Sequence, residues 1–371
     1  MKQTELVYEQ TNGLVPFVYT LAGEWMYFCD MHIPQLFRYH LKKEKCECIV
    51  RFHRNDMNFY KIISHGDELW MLPFLDGEIV CFHIISREIS YYEIPKEIKE
   101  KVIPFADMIF GEEEAYIFPH GNNRFLVEVD LQTHQMNTVE LLKNGQDNDR
   151  LFFTGALQFQ DKIYLTESFG NRFVLYDVKS KEAAILNNRY LLDNFWPKRI
   201  GRKIYFFPIT ITENKDLLIY DIETNHFAEK ENPLKDLLPG DVCITVASDE
   251  EIWILANKQK KLYGLALNLE MKSEISILNF NEAEKDVYVS GAAFEDRLFF
   301  NGFENGSPLI QVKDGVATML DVGREQTLLQ VYIDMVNKGN AHERKFNEIN
   351  VGKSIYVYAN MYGRGGVCSL Y

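Results

Sequence analysis

Residues 162–186 read KIYLTESFGNRFVLYDVKSKEAAIL, and the chain repeats their layout along its length. Ile163-Tyr164-Leu165 and Phe173-Val174-Leu175-Tyr176 are β-branched and aromatic runs. Ser168-Phe169-Gly170-Asn171 between them supplies turn chemistry, so the pair reads as a hairpin. Asp177-Val178-Lys179-Ser180 then opens a tight turn, because an aspartate carboxylate accepts backbone N–H groups two residues on. With a third run at Ala183 to Leu186, the unit is strand, loop, strand, tight turn, strand.

The same layout returns at Ala115-Tyr116-Ile117-Phe118 with Arg124 to Asp130, and at Ile204-Tyr205-Phe206 with Leu217 to Asp221. Looser copies centre on Trp70, Trp253 and Phe299, and the two ends of the chain add Tyr27 and Tyr356. Between these aromatic anchors the steps are 43, 46, 48, 41, 48, 46 and 57 residues. A period near 45 is that of four-stranded propeller blades. The fourth strand of each unit is the apolar run before the anchor, as at Phe59 to Ile63, Phe195 to Ile200 and Val242 to Val246.

On these repeats the whole chain resembles the β-propeller superfamily. The resemblance is to a fold: the kelch pattern expects a Gly-Gly pair in every blade, and Gly365-Gly366 is the only such doublet. The Gly-His and Trp-Asp dipeptides of WD repeats are lacking. The expected architecture is all-β, an eight-bladed propeller spanning 1–371 as one domain. Because the chain stops after the third strand of the last copy, Thr4-Glu5-Leu6-Val7-Tyr8 is expected to complete that blade, which would remove an exposed sheet edge. The alternative is seven blades, with the copy at Phe299 or Tyr356 outside the count. The long last step carries Leu328, Leu329, Val331, Tyr332, Met335 and Val336 at helical spacing, so a helical insertion is expected at 327–338.

Composition narrows the function. With 46% hydrophobic and 13% aromatic residues, a chain of this length buries roughly three quarters of its unfolded surface. The net charge of −14 argues against nucleic acid, which needs a basic patch; Lys198-Arg199 with Arg202-Lys203 is the one dense basic spot. No apolar run is long enough for a membrane span. MKQTELVYEQTNG lacks the pattern of a secretory signal, so a cytoplasmic monomer is expected. The six cysteines form no disulfide framework, and Cys46 and Cys48 lack partners for a metal site; no metal and no cofactor is expected.

Loops between second and third strands converge on one face of such a ring, where a rigid scaffold places function. Several of these loops combine Gly, Asn, Arg and an aromatic residue, a mixture suited to polar ligands. The candidate ligand contacts are His120, Asn122, Arg124, Glu167, Phe169, Asn171, Arg172, Tyr362 and Arg364. No nucleophile elbow, zinc-protease helix or phosphate-binding loop is present. The expected function is a non-catalytic binding scaffold for a protein, peptide or glycan at the loop face. The alternative is a propeller hydrolase or lyase acting on a carbohydrate-like substrate at the channel mouth.

Overall fold

The structure, a computed structural model, describes residues 16–320 with interruptions at 31–33, 44, 55–56, 75–76, 99–102, 122–123, 143–152, 168–171, 187–189, 191, 193–194, 213–215, 249, 278–287, 295, 303–308 and 315; it also describes the strands at 346–351, 354–361 and 364–370. Seven sheets of four antiparallel strands follow one another, each a simple meander in chain order. Their first strands are Pro16–Ala22, Phe59–His65, Phe105–Phe110, Phe153–Phe159, Phe195–Ile200, Cys243–Ala247 and Tyr288–Phe294. These open blades 1 to 7, and they touch their neighbours around the axis while the fourth strands lie outermost.

Apolar side chains sit between sheets, as expected for strands covered on both faces. Seven hydrophobic clusters fill the described core, and each joins two adjacent blades. The anchors are central to them: Trp70, Tyr164 and Phe299 are fully buried. The seventh cluster decides the count of blades, since it packs Met26, Phe28, Phe37 and Tyr39 of blade 1 against Phe299, Leu309 and Leu320 of blade 7. Polar bonds reinforce that seam: Tyr19 Oη donates to the Phe299 carbonyl at 3.2 Å, Asn301 Nδ2 to the Pro16 carbonyl at 3.3 Å, and Arg297 Nη1 to the Leu41 carbonyl at 3.0 Å. The ring therefore closes between blades 7 and 1, with seven blades.

Eight blades, the main expectation, is thus corrected to the alternative. The copy at Phe299 belongs to the ring. The copy at Tyr356 forms a separate three-stranded sheet, Phe346–Val351, Ser354–Met361 and Arg364–Leu370. Its strand signature equals that of a blade because hairpin chemistry is local, whereas membership of the ring depends on packing between sheets. Blade 1 already has four strands, and the ring needs no closing strand from the N-terminus. Thr4 to Tyr8 and the expected helix at 327–338 lie outside the described residues.

The tight turns behave as the sequence indicates. Asp130, Asp177 and Asp221 each accept the N–H groups two and three residues on, at 2.7–3.1 Å. Those bonds hold the three carboxyls below the usual carboxylate range. His40 and His83 occupy the same place and accept through Nδ1 instead, from Lys42 N at 3.3 Å and Ser86 N at 3.1 Å.

Candidate functional site at the channel mouth

Strand register makes the blades directly comparable. Opposite the seven anchors, the first strands carry Thr20, Ile63, Ile109, Leu157, Lys198, Val246 and Ala292. Lys198 is the one titratable side chain in that layer. Two positions nearer the loop face the residues are Val18, Lys61, Asp107, Gly155, Trp196, Ile244 and Ser290. Lys61 and Asp107 thus occupy equivalent positions in adjacent blades, and their Nζ and Oδ1 atoms pair at 2.5 Å.

Asp107 is the hub of the mouth. Its carboxylate accepts Met108 N at 2.9 Å and reaches across to Ala156 N of blade 4 at 3.1 Å. Gly155 permits that reach, because a Cβ there would stand 3.3 Å from Asp107 Oδ2. The carboxylate is almost wholly buried, with Lys61 about one third exposed above it.

Immediately beyond this level, the first strands of blades 1, 2, 3, 4 and 7 each carry a β-bulge, whereas those of blades 5 and 6 run straight. A bulge adds one residue and re-aims its side chain, and such features gather next to functional sites. In blade 2 the extra residue is Tyr60, whose ring centroid lies 6.5 Å from that of Phe74 and 6.4 Å from that of His120. Burial raises the Tyr60 hydroxyl above its ordinary range, and the Asp107 charge adds to this.

Lys198 sits deeper and feels both groups. Desolvation in the apolar layer lowers its ammonium from the usual lysine range to about 8; the Lys61 charge adds to the fall and Asp107 opposes it. An unfolded lysine holds its proton to a pH of about 10.4. Between about 8 and about 10.4 the unfolded chain therefore binds a proton the folded chain has released, and stability rises with pH across that window. Lys198→Met is expected to be more stable than the parent at neutral pH, with the difference closing toward about pH 10. Urea midpoints of the two proteins at several pH values test this; a pH-independent difference would place Lys198 in water.

Of the nine residues singled out from sequence, Asn122, Phe169, Asn171 and Tyr362 lie outside the described residues. Arg364 begins the last strand of the three-stranded sheet, so it belongs to no blade of the ring. His120 stands at the mouth beside Tyr60, and its N–H donates to the Pro104 carbonyl at 3.1 Å. Glu167 and Arg172 pair with each other: Arg172 Nε donates to Glu167 Oε2 at 2.9 Å, and Glu167 is buried. Arg124 Nε faces Glu140 Oε1 at 3.4 Å across its own blade.

Sequence reasoning missed Lys61, Asp107 and Tyr60, and it saw Lys198 only as part of a basic spot. Counting back from each anchor would have placed Lys61 and Asp107 on one level. Cys46 and Cys48 share one face of the outer strand of blade 1 and pack on the core between blades 1 and 7, with the Cys46 thiol pushed up to about 12 by burial.

No family model and no curated protein sequence matches the chain. Solved structures do. Virginiamycin B lyase from Staphylococcus aureus superposes with TM-score 0.60 at 12% identity, covering 78% of this chain and 94% of that one. The Cps50 (Swd1) β-propeller domain of Myceliophteria thermophila gives TM-score 0.57 at 10% identity, over 81% and 97% of the two chains. Hydrazine synthase of Kuenenia stuttgartiensis gives 0.58 at 11%, over 84% and 99%. At such identities the likeness is one of fold, and the chain is a β-propeller with four-stranded blades.

Proposed function

We propose that the protein is a non-catalytic binding scaffold that seats a polar segment of a protein or peptide on its loop face and takes an acidic group of that segment into the channel mouth. One observation carries this reading: Lys61 pairs with Asp107, and Lys198, two positions deeper, feels both charges, so two ammonium groups share one carboxylate among these three residues in a chain whose net charge is −14. A local cationic surplus inside a low-dielectric mouth attracts anions more strongly than exposed lysines do. Tyr60, Phe74 and His120 add the aromatic and polar rim that a peptide backbone requires. The protein is proposed to act as a cytoplasmic monomer; the five described cysteines are free thiols, the state a reducing compartment maintains.

A pair of fluorescent peptides, one rich in Glu and its Gln counterpart, tests the reading by anisotropy. Preferential binding of the Glu peptide, weakened about tenfold or more by Lys61→Met with Lys198→Met, is expected; tenfold corresponds to about 1.4 kcal/mol. Equal binding of both peptides, or indifference to the double variant, would sink it.

Lys198 supports a second reading, a propeller hydrolase or lyase acting on a polar, carbohydrate-like substrate. An amine titrating near 8 is partly neutral at physiological pH and so suited to act as a base. Turnover of any substrate found by screening should then vanish in Lys198→Met.

A further inference from the structure

At the opposite end of the blades from the loop face, we propose that Glu68, Cys81 and His134 form a binding site for a divalent cation of the zinc type, fastening blade 2 to blade 3. Glu68 opens the second strand of blade 2, Glu68–Pro73, and Cys81 lies in its third strand, Glu78–His83. His134 comes from blade 3, in the turn after Asp130, where its φ of 57° throws the side chain back onto the neighbouring blade. One ligating atom from each residue lies within 4.8 Å of the other two. Tetrahedral zinc with bonds of about 2.0–2.3 Å needs its ligand atoms somewhat closer, a contraction that side-chain torsions supply.

The orientation of two of the three ligands is already fixed by a neighbour. Tyr92 Oη bonds His134 Nδ1 at 2.6 Å, which leaves Nε2 turned to Glu68 Oε1 at 3.2 Å. Trp70 Nε1 donates to the other carboxylate oxygen, Oε2, at 2.9 Å, so Oε1 faces the cluster. Outer partners of this kind set the tautomer and direction of metal-binding imidazole and carboxylate. A set of one sulfur, one nitrogen and one oxygen suits zinc among the common divalent cations, with a water in the fourth position. Cys81 is buried, whereas Glu68 and His134 are 21% and 23% exposed, so solvent reaches the cluster from one side.

The next interface around the ring supplies an independent argument. Glu114 and Glu128 of blade 3 occupy the places of Glu68 and Cys81, since Glu128 pairs with the anchor Tyr116 as Cys81 pairs with Trp70. The residue matching His134 is Lys181, in the turn of blade 4 with φ 55°. Its ammonium sits 3.0 Å from Glu114 and 3.1 Å from Glu128. At that interface the position holds a cation between two carboxylates, and a metal ion would supply the cation at the blade 2–3 interface, where a histidine stands in place of the lysine. Cys81 binds as the thiolate, so each ion taken up releases the thiol proton to solvent.

The full-length protein, stripped with a chelator, is titrated with Zn2+ alone and then with Co2+ as a spectroscopic probe. One equivalent should bind, with visible absorption of tetrahedral cobalt and a near-ultraviolet thiolate-to-cobalt band. Cys81→Ser should abolish the thiolate band, while Cys243→Ser leaves it intact. Tyr92→Phe, which keeps all three ligands, should weaken zinc about tenfold by releasing the imidazole. No stoichiometric uptake, or a thiolate band that survives Cys81→Ser, overturns the proposal and leaves an ionic contact between blades.

Discussion

Phe299→Ala is expected to cost about 3–5 kcal/mol, the range for emptying a buried aromatic site. In a chain of this size that corresponds to a fall in melting temperature of roughly 5 °C. Phe299 is fully buried in the cluster that joins blade 7 to blade 1, and the carbonyl of the same residue accepts the Tyr19 hydroxyl, so one substitution loosens the closing seam. A chain shortened to residues 1–320 keeps every described strand of the seven blades and should melt within a few degrees of the parent, in a single transition. The two results together distinguish a seven-bladed ring from an eight-bladed one. If the shortened chain lost its cooperative melt while Phe299→Ala were mild, closure would have to involve the three-stranded sheet.

Asp107→Ala should be nearly as damaging, at about 3 kcal/mol, a figure near the lower limit for breaking a buried ion pair because Lys61 keeps partial contact with water. The loss comprises the partner of the half-buried Lys61 and the side-chain acceptor for Met108 N and Ala156 N. Removing the carboxylate also removes the one charge that supports the ammonium of Lys198, and its affinity for a proton should fall further. Urea denaturation measures the first effect and the pH dependence of Lys198 acylation the second. Asp107→Ala with Lys61→Met should recover part of the stability, since the half-buried ammonium left without its partner is then gone as well. A near-neutral Asp107→Ala would show that water, not Asp107, satisfies Lys61.

The blades were legible because their chemistry is local. Alternating β-branched and aromatic runs, an aspartate or histidine opening several of the tight turns and a regular anchor spacing are all short-range signals, and register follows from them. The number of blades was not legible for the same reason. Ser354–Met361 and Arg364–Leu370 form a hairpin as good as any in the ring, and nothing in their composition says which sheet they pack against. Of the residues singled out from sequence, His120 stands beside Tyr60, and Arg172 pairs with Glu167 at the loop end of blade 4. Lys61 and Asp107 escaped notice because each is the lone charge in its strand, one repeat length from the other, and Lys198 was seen only with its basic neighbours because two further repeats separate it from Asp107. Glu68, Cys81 and His134 were hidden for the same reason.

A ring of seven like units would, if perfect, offer a ligand seven indistinguishable rotational settings about its axis, and a partner bound in all of them is oriented in none. The straight first strands of blades 5 and 6 interrupt the run of bulges along one arc of the circle. That arc distinguishes one side of the mouth from the other, so under the proposed binding role a seated segment would have a compass direction across the face, and whatever it carried at its far end would be delivered to one sector of the rim.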